Sequence, residues 1–139
     1  MISLDMAKRL KEAGLKWVPQ VGDWFRTEKL GPQVVYLGWM EVGNDPETST
    51  DAPVLCPAII RYRHAECIWL PRLDQMIQEI DQREFWWEIK HVLVDSNIKK
   101  YKARISKKHN TSIPEKIFST TTPDESAALA LEWILKGEA

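Results

Sequence analysis

At 139 residues the chain has the length of one ordinary domain, and a net charge of −1 gives it no overall pull toward nucleic acid or an anionic membrane. An apolar fraction of 44% against 28% charged residues excludes a disordered chain, and no apolar run approaches the roughly 20 residues of a membrane-spanning helix. Two cysteines exclude a disulfide framework and fit a reducing, cytoplasmic setting, while Asp5 and the charges after it interrupt the place where a signal peptide would carry its apolar segment. The expectation is a single domain over residues 1–139.

Ser3 is placed to cap a helix over residues 4–13, with Met6, Ala7 and Leu10 inward and Lys8, Arg9, Lys11 and Glu12 outward. Gly14 fits its left-handed terminator, with Leu15 folding back toward Leu10. Residues 16–27 read as an extended segment bent at Gly22-Asp23, and the β-branched and aromatic run at 34–42 reads as a strand that pairs with it as a hairpin. The stretch GNDPETSTDAP at 43–53 is polar, acidic and turn-rich, so it reads as an exposed loop. Residues 54–62 read as a strand that Pro57 either confines to a sheet edge or ends early, and 66–70 as a short strand or lead-in to a helix.

Pro71 is expected in the first turn of that helix, which reaches Gln82 with Leu73, Met76, Ile77 and Ile80 on one stripe. Strands at 85–94 and 100–106 form a hairpin around Asp95-Ser96-Asn97, and a short strand follows at 116–120. Thr122-Pro123-Asp124-Glu125 then combines a cap, a first-turn proline and acids where the helix dipole favours them, and Gly137 ends the last helix. The expected fold class is α+β, a single antiparallel sheet of about five to six strands with three helices packed mainly on one face.

Three stretches carry a family resemblance: ISLDMAKRLKEAGLKWVPQVGDWF at 2–25, CIWLPRLDQMIQEI at 67–80, and TTPDESAALALEWILK at 121–136. Together they resemble a family of small uncharacterised proteins from Gram-positive bacteria and their phages and prophages. The resemblance covers most of the chain and implies no activity, cofactor or catalytic residue. The closing unit also resembles the ending of small antitoxin-like domains, mostly through generic helix-start chemistry.

No Gly-x-Ser-x-Gly elbow, His-Glu-x-x-His pair or glycine-rich phosphate loop is present, so no catalytic residue and no cofactor is assigned. Cys56, His64 and Cys67 are the one set with the chemistry of zinc ligands, but a structural site takes four, and buried free thiols explain the cysteines more simply. Lys100, Lys102 and Arg104 share one strand face, and Lys107 and Lys108 follow in a positive loop. Such a ribbon suits phosphates, with Trp86 or Trp87 on the neighbouring strand to stack a base. The plainer reading is a solvated face whose lysines discourage edge-to-edge pairing, opposed within the segment by Glu115 and neutralised by the acidic stretch at 74–88.

Seven tryptophans are the most distinctive feature of the composition. Trp24, Trp69 and Trp133 are expected to lock helices onto the sheet. Trp86 and Trp87 are adjacent in a strand and so point to opposite faces, which leaves one exposed unless both faces are covered. An exposed indole is an interface anchor. The sequence therefore favours a non-enzymatic protein-interaction or accessory module, for an unknown protein partner or a homodimer, with no membrane role. Nucleic-acid binding through the 99–108 segment is the alternative.

Overall fold

The computed structural model describes the chain apart from residues 21, 28–30, 35–39, 46–49, 56–61, 64–66, 96–97, 110–114 and 138–139. It is α+β, and it divides into two compact units: residues 1–15 with 71–139, and residues 16–70. The described strands make three three-stranded antiparallel sheets, where the sequence suggested one sheet of five to six strands. Each strand closes on a near neighbour in the chain, except where 68–69 returns to 24–26, because short connections pair sequential strands first.

In the first unit, helix α1 (Leu4–Glu12) begins where Ser3 Oγ accepts the Met6 N–H at 3.2 Å. It ends in a full Schellman motif: the Leu15 N–H donates to Leu10 O and the Gly14 N–H to Lys11 O, both at 3.0 Å, with Gly14 at φ 97°. Helix α2 (Leu73–Gln82) buries Met76 and Ile80. Arg72 is its N-cap, so Pro71 lies before this helix and not in the first turn where it was expected. A guanidinium has no acceptor, so only half of a capping box forms: the Arg72 N–H donates to Gln75 Oε1 at 2.9 Å. Glu84, at φ 63°, then turns the chain from α2 into the following strand.

That strand and its successors were strands in the sequence reading, at nearly these bounds. In chain order of the whole molecule they are β7 (Phe85–Asp95), β8 (Ile98–Lys107) and β9 (Lys116–Thr120), in spatial order β7-β8-β9. Directly opposite residues of an antiparallel pair share a face, so the register assigns both faces. Odd-numbered Phe85, Trp87, Ile89, Ala103 and Ile105 face the helices, together with Phe118. Helix α3 (Pro123–Leu135) covers this face along β8 and β9, α2 adjoins β7, and α1 packs on α3. Thr122 Oγ1 caps α3 by accepting the Glu125 N–H at 3.3 Å. Ser126 is buried, donating to Tyr101 O at 3.0 Å and lying 2.7 Å from Thr120 Oγ1. Trp133 sits edge-on to Phe85 and Phe118, with ring centroids 6.4 and 6.2 Å away, which is the locking role expected of it.

The second unit holds the other two sheets. Strand β1 (Trp24–Arg26) lies between β2 (Gln33–Val34) and the later β6 (Ile68–Trp69). Trp17 stacks on Trp69 with centroids 6.4 Å apart and packs at a tilt on Phe25. Its indole donates to the buried Asp23 Oδ2 at 2.8 Å, and the Gln20 N–H donates to the same oxygen at 3.0 Å. Trp69 therefore belongs to a tryptophan stack in this unit and is not the bolt between a helix and the main sheet that the sequence suggested.

Strands β3 (Met40–Asp45), β4 (Thr50–Leu55) and β5 (Tyr62–Arg63) make the remaining sheet. This corrects the reading of 43–53 as a loop: Gly43, Asn44 and Asp45 pair with Ala52, Asp51 and Thr50. Pairing supplies the order that the local composition lacks. Pro53 stands opposite Val42 of β3, and among the described residues β5 pairs with Val54 and Leu55. Trp39 lies outside the described residues, as does Pro57.

Candidate interaction strand and basic face

Strand β7 is the element on which the functional question converges. It has β8 on one side and, among the described residues, no strand on the other. Trp86 is 63% exposed on the face away from the helices, and Trp87 is 37% exposed on the helix face. The sequence required only one of them to be open. Both are, because an edge strand leaves the flank of its helix-facing side chains uncovered. Glu88, Lys90 and His91 are exposed as well, so five of the six residues from 86 to 91 face solvent.

The five basic candidates do not share one face. Lys102 and Arg104 are exposed on the open face, and Lys100 shares that face half-buried. Lys107 has the opposite parity and lies over the Phe85 ring, its Nζ 6.0 Å from the centroid. Lys108 stands past the end of β8. Its backbone N–H donates to Glu84 O at 2.9 Å, and its Nζ meets Asp81 Oδ1 at 2.6 Å and the Trp86 ring at 5.3 Å.

Carboxylates take up much of the remaining charge. Arg104 donates to Glu115 Oε2 through Nε at 2.7 Å and through its terminal nitrogen at 2.5 Å. Those hydrogen bonds, the Glu115 charge and the nearby Glu88 charge raise its pKa further. Lys90 pairs with Glu88 at 3.1 Å. Lys100 and Lys102 have no ion-pair partner among the described residues. Across the sheet the open face carries Glu88, Arg104 and Ile117 in one row and Lys90, Lys102 and Ser119 in the next.

Of the three metal-ligand candidates, Cys56 and His64 lie outside the described residues. Cys67 is buried among Trp17 and Phe25. Among the described residues, no three histidine, cysteine or carboxylate side chains converge, and no helix is long and apolar enough to cross a membrane.

The sequence singled out both exposed tryptophans, Glu115 as the acid opposing the basic segment and the acidic stretch at 74–88 as its neutraliser, but not which acid meets which base. Glu115 is 11 residues from Arg104 and Asp81 is 27 from Lys108, so only the register of β8 and the turn after α2 bring them together. No protein-family model, curated protein or solved structure matches the chain, so the functional reading rests on the geometry of its own residues.

Proposed function

We propose that the chain is a non-enzymatic protein-interaction module, and that β7 is its contact element. The observation that carries this reading is the exposure of Trp86 and Trp87 side by side on a sheet edge that no strand covers among the described residues. Indoles bury large apolar areas at little entropic cost and are enriched among residues that dominate binding energy. A free edge strand adds main-chain hydrogen bonds to whatever extended segment pairs with it. The tryptophans then supply side-chain selectivity on both faces.

The runner-up, nucleic-acid binding through Lys100, Lys102, Arg104, Lys107 and Lys108, draws less support. Each phosphate contact needs a cation free to displace a counterion. Arg104 and Lys108 are held by Glu115 and Asp81, and Lys107 faces the other way.

A benzophenone side chain introduced at position 86 tests the choice. Irradiation in the native cells is expected to give polypeptide adducts, with none from the same group at the exposed position 12 of α1. Adducts to nucleic acid, or no adduct at position 86, would overturn the interaction reading.

A further inference from the structure

We infer that the partner of β7 is a second copy of this chain, paired antiparallel edge to edge about a two-fold axis at Ile89. This rests on the reading of β7 as a contact strand and names its occupant. The strand spans 11 residues, against five for β9 at the other edge. Natural proteins blunt long free edges with lone lysines, prolines, bulges or covering loops. Here Glu84 turns the chain at one end, and the register irregularity between Leu93 and Asp95 interrupts the ladder at the other. The segment between them, 86–92, is regular and presents charges of both signs.

The charges choose the occupant. With the axis at Ile89, Glu88 falls opposite Lys90 of the second copy, and the two-fold repeats this pair on the other side of the axis. Both residues lie on the open face and are exposed. On the same face Trp86 falls opposite Val92 of the second copy, an aromatic with a β-branched residue. On the helix face Trp87 falls opposite His91 of the second copy, and Ile89 meets its own counterpart. Aromatic, β-branched and opposite-charge pairs are the combinations that stabilise antiparallel ladders, and like charges opposite each other destabilise them.

Neighbouring registers fail this test. An axis at Glu88 sets that carboxylate against itself, and an axis at Lys90 does the same to the ammonium. An axis on a residue keeps each face continuous, so β9-β8-β7 of one copy and β7-β8-β9 of the other make a six-stranded sheet with all helices on one side. Trp87, which is open only because its strand is an edge, then gains a neighbour.

Sedimentation equilibrium on the full chain tests this across a range of concentrations. Wild type is expected to reach twice the chain mass. Glu88→Lys and Lys90→Glu, both at exposed positions, are each expected to weaken the dimer about tenfold or more, since each replaces two attractive pairs by two repulsive ones. A 1:1 mixture of the two single variants is expected to associate more tightly than either alone. In that mixture each chain lacks its own Glu88–Lys90 pair, so only pairing between chains restores the match. The double variant E88K/K90E is expected to dimerise like wild type. Unchanged circular dichroism checks that each variant folds.

A monomeric wild type at every concentration, single variants that dimerise like wild type, or a mixture no tighter than its components would overturn the dimer. A monomer that still forms polypeptide adducts from position 86 leaves the interaction reading standing with a different occupant. A monomer that forms none overturns both.

Discussion

Glu132 shows how one residue can carry an element-scale contact. It lies on α3 and is buried, yet it is charged. Burial alone would raise its carboxyl pKa, but the side chains of Lys136 and Arg9 outweigh that and hold it below the usual glutamate value. Arg9 reaches it from α1 with two nitrogens, Nε at 3.1 Å to Oε1 and a terminal nitrogen to Oε2, and Lys136 Nζ approaches at 2.7 Å from one turn along α3. A carboxylate with a depressed folded-state pKa contributes stability that is present above its unfolded value, about 4.3, and is lost as pH falls through the folded one. Glu132→Gln is expected to cost ~1.5–3 kcal/mol at neutral pH, the range of hydrogen bonds to charged groups. The difference from wild type should shrink toward zero in acid, as read from urea midpoints against pH. A constant difference down to the lowest pH at which the protein folds would contradict this role. The pattern of α3 did not announce it, since a lone glutamate between Leu131 and Trp133 reads as solvent-facing until α1 is laid across it.

Elements are where the sequence was most legible, for the reason that caps and terminators are local. Ser3, Gly14, Thr122 and Pro123 act as expected because each needs only a partner within five residues. Gly14→Ala tests the terminator of α1. Nothing within 4 Å obstructs a Cβ there, so the cost is conformational: left-handed backbone disfavours a side chain by ~1–2 kcal/mol. A loss of that size in denaturant unfolding is expected, with Gly14→Asn losing less because asparagine tolerates the same region. The loop assigned to 43–53 failed at this scale. Gly43, Asn44 and Pro53 are turn residues by propensity, yet they lie in paired strands on either side of residues 46–49. Propensity there loses to a ladder whose second strand comes from the same stretch.

Across the whole molecule, exposure separates the tryptophans that pack from those that do not. Trp17 stacks and hydrogen-bonds in one unit, and Trp133 wedges between two phenylalanines in the other, whereas Trp86 and Trp87 stand open. Trp86→Phe is expected to remove more of the acrylamide-quenchable fluorescence than Trp17→Phe or Trp133→Phe. An equal loss from all three would mean that the open face at Trp86, and not only the edge of β7, is covered in solution.

Amphipathic stripes, caps and the alternation of Lys100, Lys102 and Arg104 with Ala103 and Ile105 were readable from the sequence by itself, because helix and strand periods act over a few residues. So was the separation of Trp86 from Trp87 onto opposite faces. Tertiary structure alone decided that the described strands divide into three sheets, that β7 is an edge among them, and which acids meet which bases, Glu115 with Arg104 and Asp81 with Lys108. Each of those depends on which distant segment arrives beside a strand, and no local propensity encodes an arrival.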